Sequence, residues 1–220
     1  MLHILSTMDE YCERTATGLL AEPLNAFSNA SFLFAAWAAW TLAKRTGKIT
    51  VEIGVLIALG FSVGIGSILW HTYPTNTTLI LDIVPIVLFI MWFIWVYARK
   101  VAGMRPLSAG GAVAAFLAAT YFAVSYAKIL HGAPVYTPGL LVVLLLGIYH
   151  ALGRKTARFL LLLTAGVYFT ALFFRTVDQE VCNFMSTGTH FVWHSLIGLV
   201  TYLAMRALIL NYPSENNYAV

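Results

Sequence analysis

Three histidines stand in a pattern that suits a single metal ion. His190 and His194 are four residues apart, so they share one face of a helix and can hold an ion together. His71 comes far earlier in the chain, where it follows Ser67 by one helical turn and precedes Asp82. A zinc ion held by three protein nitrogens keeps a fourth position for water, whose pKa then falls to about 7. The pattern predicts a zinc site formed by His71, His190 and His194.

Asp82 and Ser67 are the candidate catalytic residues at this site. Asp82 could accept a hydrogen bond from the water or act as its general base, and its charge would offset that of the cation. The hydroxyl of Ser67 could donate to the oxyanion of a tetrahedral intermediate. Together these residues predict the hydrolysis of a carbonyl compound.

The elements that position these residues are membrane spans. Hydrophobic residues make up 60% of the 220 residues and charged residues 10%, and the mean hydropathy is +0.81. A soluble domain of this length is much less apolar, so we expect an all-α membrane protein with one seven-helix bundle as its single domain. Apolar runs of about twenty residues, enough to cross a hydrocarbon core of ~30 Å, mark the spans. They cover residues 24–43, 51–71, 78–98, 107–127, 137–153, 157–175 and 187–210.

Basic residues indicate how the bundle is oriented. Short loops rich in Lys and Arg remain in the cytoplasm. The loops after spans one, three and five contain Lys44, Arg45, Lys48, Arg99, Lys100, Arg105, Arg154, Lys155 and Arg158. The N-terminus is therefore expected outside and the C-terminus inside. Because topology explains the net charge of +4, no nucleic-acid partner is predicted.

This orientation places all the candidate ligands at one depth, in the outer leaflet. Span two ends at His71, while spans three and seven run inward from Asp82 and His190. A site at that depth meets its substrate from the lipid or the headgroup layer, so a lipid amide or ester is expected and no protein partner is inferred. Short loops and the lack of organelle signals favour a bacterial plasma membrane.

The first 23 residues are acidic and lack the features of a signal peptide, so they are expected to remain as an extracytoplasmic leader. Asp9, Glu10, Glu13 and Glu22 stand there against a single Arg14. Such hard oxygen ligands suit Ca²⁺, and a solvated acidic segment without an EF-hand loop is the alternative. Residues 211–220 are expected to form a polar cytoplasmic tail.

Cys12 and Cys182 both fall on the outer side of the predicted topology. That compartment is oxidising, so a disulfide can form there. The bond would tie the leader to the start of span seven. Two free thiols remain the alternative, because the geometry could forbid the bond.

Other polar residues have simpler explanations. Asn25, Ser28 and Asn29 open span one, and hydrogen bonds between helices explain them adequately. His150, near the inner end of span five, is expected at headgroup level. A bundle whose polar residues only join helices, or a proton-coupled transporter, would also contain buried His and Asp. A retinal protein is disfavoured because span seven contains no lysine.

Three motifs together resemble those of the alkaline ceramidases, which belong to a superfamily of seven-helix membrane hydrolases. They are SxxxH at Ser67 and His71, LDxxP from Leu81 to Pro85, and HxxWH from His190 to His194. The similarity extends over nearly the full chain through AExxNxxSN from Ala21 to Asn29, YCE from Tyr11 to Glu13, and DxxxC from Asp178 to Cys182.

The resemblance implies a zinc-dependent amidase that cleaves ceramide or a related N-acyl lipid to a fatty acid and a long-chain base. It implies zinc on the three histidines, a water activated with help from Asp82, and Ser67 beside the reacting carbonyl. It also implies a disulfide between Cys12 and Cys182 and a calcium ion on the leader. The calcium ligands would be Glu10, the Tyr11 carbonyl, Glu13, Thr15 and Glu22, although the ceramidases usually have Asn where Thr15 stands. The alternatives are an ester or phospholipid hydrolase, and a receptor-like or transport bundle with structural zinc.

Overall fold

Helices account for the regular structure of the described chain, which comprises residues 11–14 and 21–213 of a computed structural model. They are α1 (Pro23–Ser28), α2 (Ala30–Arg45), α3 (Val51–Thr72), α4 (Asn76–Val96), α5 (Pro106–Val124), α6 (Thr137–Leu152), α7 (Leu160–Val177) and α8 (His190–Asn211). A π-helical turn, Tyr97–Val101, continues α4, and 3₁₀ segments cover Ile129–Tyr136 and Gln179–Val181. No strand occurs in these two ranges, so the all-α prediction is confirmed for them.

Six helical stretches in the described part are long and apolar enough to cross a membrane. They are Val51–Thr72, Asn76–Val101, Pro106–Val124, Ile129–Leu152, Leu160–Val177 and His190–Asn211. The chain is therefore a multi-pass membrane protein, as its composition predicts. The first predicted span, residues 24–43, falls on α1 and α2, which are divided at Asn29. Because α2 has only 16 residues, it is not among the six.

The long helices form a closed ring. α2 packs against α3 and α8, and each following helix packs against the next until α7 meets α8. α1 lies at one end of this ring, in contact with both α3 and α8. Large apolar side chains such as Phe34, Leu145 and Phe169 face outward, where lipid is a suitable environment for them.

The contact between α3 and α4 brings Ser67 opposite Asp82. Pro85 lies inside α4 and has no N–H, so the carbonyl of Leu81 loses its usual helix donor. That carbonyl lies against Gly66 of α3, where a Cβ atom would overlap it. Glycine leaves room for this approach, which sets the separation of the two helices next to the candidate site.

The other end of the ring contains basic residues and His150. Lys48 Nζ donates to the carbonyls of Ile209 (2.9 Å) and Leu210 (3.1 Å) in the last turn of α8, where a cationic side chain is favourable because the helix ends there. His150, expected to face the headgroups, does not lie on the surface of the described part of the chain. Its ring is fully buried, and Nδ1 lies 2.6 Å from the hydroxyl of Tyr97, so it serves as an internal hydrogen-bond partner.

Substituting Gly66 by alanine tests the contact between α3 and α4. The added methyl group has to displace the Leu81 carbonyl, and overpacking of this kind destabilises by about 1–3 kcal/mol. We expect Gly66→Ala to lower the Tm of the detergent-solubilised protein in thermal unfolding. Gly54→Ala is the matched control, because a Cβ on Gly54 of the same helix meets nothing within 4 Å among the described residues. Equal Tm values for the two variants would contradict the packing role of Gly66.

Candidate metal centre

Three buried histidines, hereafter the histidine trio, meet inside the ring of helices. His71 comes from the last turn of α3, and His190 and His194 come from the first two turns of α8. Each offers one ligand nitrogen, and these nitrogens lie within 4.8 Å of one another. The three residues are at most 4% exposed. The structure thus brings together the residues that the sequence predicts as metal ligands.

In His71 and His194, other protein groups form hydrogen bonds with the ring nitrogen Nδ1, which leaves Nε2 for an ion. His71 Nδ1 lies 2.6 Å from Glu22 Oε2, and His194 Nδ1 lies 3.2 Å from the Asn25 carbonyl oxygen and 3.0 Å from Ser28 Oγ. Ionised carboxylate and carbonyl oxygens only accept, so Nδ1 of His71 carries the proton and donates it to Glu22, and Nδ1 of His194 donates to the Asn25 carbonyl, although Asn29 Nδ2 also lies 3.3 Å from it. Nε2 is then unprotonated, as a metal ligand must be. This arrangement is typical of histidines that bind a metal.

His190 has a different environment. Arg175 Nη1 lies 3.4 Å from its Nδ1, and the ring of Tyr11 packs against it with centroids 4.2 Å apart. The guanidinium group of Arg175 also lies over the Tyr136 ring, with Cζ 4.7 Å from the ring centroid. A permanent positive charge therefore stands beside the histidine trio, where it can attract a negatively charged oxygen of a bound molecule.

A buried carboxylate oxygen faces the same space. Asp82 Oδ1 is enclosed and has no hydrogen-bond partner among the described residues. Ser67 stands opposite, and both residues line one cavity with the histidine trio. A buried acceptor without a donor is costly, so this oxygen indicates a position for a water molecule or another donor. The histidine trio and Asp82 together fit a Zn²⁺ ion that keeps a position for water.

Below these polar groups the cavity is lined by apolar side chains. They come from α4, α6 and α8 and include Phe89, Phe93, Val143, Val200 and Ala204. Along α8, at about 1.5 Å per residue, Ala204 lies about 15 Å from His194. The cavity therefore suits an alkyl chain whose polar end reaches the histidine trio.

A disulfide bond joins Cys12 to Cys182, with the Cα atoms 5.2 Å apart. The predicted bond is confirmed, and the alternative of two free thiols is excluded. The bond ties the described leader residues to the segment before α8. Tyr11, next to Cys12, thereby lies over His71 and His190, with ring centroids 5.0 and 4.2 Å away.

Asp178 holds the beginning of α8 in position. Its Oδ1 accepts from the backbone N–H groups of Thr189 (2.6 Å) and His190 (2.8 Å), and its Oδ2 accepts from that of Cys12 at 3.3 Å. The first N–H groups of a helix have no partner within the helix, so this carboxylate caps α8 from outside. Gly188 has φ +61°, and a Cβ there would overlap Asp178 and Cys12. The disulfide and the cap therefore fix the first ligand of α8.

Three of the residues that the resemblance implies as calcium ligands, Tyr11, Glu13 and Glu22, lie in the described part of the chain and have other partners there. Glu10 and Thr15 lie outside the described residues. The carboxylate oxygens of Glu13 accept from two N–H groups in the first turn of α1, at 2.7 Å from Leu24 and 2.8 Å from Asn25. Glu13 therefore acts as a helix cap, which is a structural role for a residue expected to bind an ion.

Glu22 is surrounded by hydrogen-bond donors. Its Oε1 pairs with Arg14 Nε, and its Oε2 accepts from His71 Nδ1 and, at 2.9 Å, from Asn25 Nδ2. Burial raises the pKa of the Glu22 carboxyl, while Asn25 and Arg14 oppose that shift. The Tyr11 carbonyl accepts from the Arg14 N–H at 3.1 Å. Ca²⁺ needs about six to eight oxygen ligands, so the described members of this set do not fit it, because N–H donors already engage their oxygens.

Comparison with known proteins identifies the family. A family model described as ceramidase matches residues 4–219, nearly the whole chain. The chain belongs to the ceramidase family. Neither the curated proteins nor the solved structures gave a match. The resemblance inferred from the three motifs is confirmed, and membership in this family suggests a lipid amide hydrolase.

Several residues that hold the histidine trio in position are not found by sequence analysis. Asn25 and Ser28, expected only to join helices, contact the ring of His194. Arg14 stands alone among acidic residues, and spacing does not reveal its partner. Asp178 could have been found, because acidic residues often cap the first turn of a helix. However, the segment between Asp178 and His190 separates it from α8 in the sequence.

Removing the Asp178 carboxylate tests whether it holds α8. Asp178→Ala leaves the N–H groups of Thr189 and His190 without an acceptor, and hydrogen bonds to a charged group contribute about 1.5–3 kcal/mol each. We expect a lower Tm and weaker metal binding, measured by thermal unfolding and chelator competition. Glu180→Ala is the control, since that side chain is 75% exposed. Losses of equal size in the control would refute the role of Asp178.

Proposed function

We propose that this protein is a zinc-dependent intramembrane amidase that cleaves ceramide or a related N-acyl lipid to a fatty acid and a long-chain base. One observation carries the proposal. Three buried histidine nitrogens lie within 4.8 Å of one another, beside an Asp82 oxygen that has no partner among the described residues. Three neutral imidazoles are a known ligand set of catalytic zinc. Membership in the ceramidase family supports a lipid amide as the substrate.

The proposed topology has seven spans, with the N-terminus outside and the C-terminus in the cytoplasm. α1 and α2 together cover residues 23–45, which at about 1.5 Å per residue is long enough for a first span. The basic loops lie at the end of the ring away from the histidine trio, which supports a site in the outer leaflet. Residues 1–23 then form an extracytoplasmic leader and residues 211–220 a cytoplasmic tail. We place this single hydrolase domain in a bacterial plasma membrane.

In this proposal, residues of the chain orient the ligand rings and the substrate. When bound, Zn²⁺ supplies a Lewis acid and lowers the pKa of water to about 7. Glu22 and Asn25 hold the rings of His71 and His194 in the tautomer that leaves Nε2 for the ion. Ser67 donates to the carbonyl oxygen of the amide as negative charge develops there.

Asp82 is proposed to move the proton. Its Oδ1 accepts a proton from the water as the water oxygen bonds to the amide carbon. The same carboxyl group then returns the proton to the nitrogen of the long-chain base as the carbon–nitrogen bond breaks. The fatty acid keeps the water oxygen, and the Asp82 carboxylate is restored.

Metal analysis combined with a lipid panel tests the proposal. We expect the purified wild-type protein to contain stoichiometric zinc and to release fatty acid from ceramide. His190→Ala removes one of the three ligands, so both the zinc content and the hydrolysis should fall, the rate by more than about 100-fold. Elemental analysis and fatty-acid release are measured on the same preparation.

The matched control is His131→Asn, because His131 lies outside the histidine trio and its side chain is 44% exposed. This variant should keep both the zinc and the rate. Zinc loss without loss of hydrolysis in His190→Ala would contradict a zinc-dependent reaction. Release of fatty acid from glycerol esters but not from ceramide would favour an ester or phospholipid hydrolase. Zinc binding without release from any lipid would favour a receptor-like or transport bundle.

Two further variants separate the proposed catalytic roles. General acid–base catalysis contributes about 10²–10⁴-fold in rate, and a single oxyanion donor about 10²–10³-fold. We expect Asp82→Asn and Ser67→Ala to lose kcat by these factors, because each removes one group that acts in the transition state. Zinc content, measured in parallel, should stay at the wild-type level because neither residue belongs to the histidine trio. A wild-type kcat in either variant would remove that residue from the mechanism.

A further inference from the structure

The leader contains a buried guanidinium group that pairs with Glu22, one of the residues that the resemblance implies as calcium ligands. We propose that Arg14 takes the place of calcium in this protein. Its charge balances Glu22 and holds that carboxylate against His71, so the fold and the metal centre require no calcium. The side chains of Arg14 and Glu22 are 8% and 0% exposed. An ion pair buried this deeply is part of the packed structure, unlike exposed pairs that exchange with water.

Two aromatic rings fix the position of the guanidinium group. Arg14 Cζ lies 5.1 Å from the Trp70 ring centroid and 5.5 Å from the Tyr11 ring centroid, within the range of cation–π attraction. The rings are linked to each other, since Trp70 Nε1 donates to the Tyr11 hydroxyl at 3.5 Å. Cys12, between Tyr11 and Arg14 in the chain, is held by its disulfide with Cys182. Arg14 therefore occupies a site that the fold builds around it.

Glu22 connects this site with the metal centre. Its Oε1 pairs with Arg14 Nε, while its Oε2 lies 2.6 Å from His71 Nδ1. Without a cation at Oε1 the carboxylate would be buried with an uncompensated charge, which favours its movement toward water. Arg14 is therefore a positioning residue that acts on His71 through Glu22.

A calcium ion and Arg14 exclude each other at this carboxylate. Ca²⁺ binds oxygen atoms, whereas a guanidinium group offers N–H donors and no acceptor. Glu13 does not compensate, because its two oxygens cap α1. Two cations that share Glu22 would also repel each other strongly in a low-dielectric environment. The departure from the implied calcium site thus follows from the side chain at position 14.

Calcium titration of the full-length wild-type protein is the first test. We expect the same Tm and the same zinc content in EGTA and in millimolar CaCl₂, and no stoichiometric calcium binding in equilibrium dialysis with calcium alone. A Tm that rises by several degrees with calcium, or stoichiometric binding, would overturn the proposal. These readouts need no substrate, so their outcome is independent of whether the protein cleaves ceramide.

Substitution of Arg14 is the second test. Arg14→Gln removes the charge, so we expect the Tm to fall by about 5 °C or more and zinc affinity to fall about 10- to 100-fold. Arg14→Lys restores a positive charge and should recover part of the zinc affinity, which a purely steric role would not predict. Chelator competition measures the affinity, and thermal unfolding measures the Tm.

Arg45→Gln is the matched control, because Arg45 is exposed at the last turn of α2 and its loss should change neither quantity. Unchanged zinc affinity in Arg14→Gln would overturn the positioning role. If Arg14→Gln does not fold, the comparison of Arg14→Lys with wild type and the calcium titration decide the question. Zinc affinity in Arg14→Lys as low as in a histidine-trio variant would then refute the role of the charge.

Discussion

The hydrogen bond between Glu22 Oε2 and His71 Nδ1, 2.6 Å long and closed to solvent, joins the leader to the histidine trio. An imidazole at this depth has little water around it, so a protein acceptor has to fix its tautomer. A carboxylate in the same place needs a cation for the same reason. Arg14 provides that charge and is itself held between two rings. Glu22 thus stabilises the buried ring of His71, and Arg14 stabilises the buried carboxylate of Glu22.

The helices set the spacing of the three histidines, but short segments outside the long helices supply their hydrogen-bond partners and the helix caps. Glu13, which follows Cys12, caps α1, and Asp178, one turn before Cys182, caps α8. The disulfide brings these two carboxylates to the same end of the ring. One covalent bond therefore positions the caps of both α1 and α8. α1 contains Asn25, the partner of His194, and α8 begins at His190.

The sequence was sufficient for the properties that depend on local pattern. Helical spacing and alternating span direction place His71, His190 and His194 at one depth, and the structure brings them together. The hydrogen-bond partners of these side chains depend on tertiary contacts, which the spacing of residues in the sequence does not reveal. A lone arginine among acids looks like part of a solvated cluster until Trp70 and Tyr11 enclose it. The break between α1 and α2 at Asn29 is likewise hidden within a continuous apolar run.

The cavity explains why recognition has to come from its polar end. Ser67, Asp82 and the histidine trio stand at one end, and apolar walls continue toward Ala204. A CH₂ group gains about 0.8 kcal/mol when it leaves water, but a lipid chain comes from hydrocarbon and gains little of this on entering the cavity. An alkyl chain therefore guides an amphiphile without adding much affinity. In the proposed reaction, discrimination between an amide and an ester would then depend on the polar groups that line that end of the cavity, Ser67, Asp82 and the histidine trio.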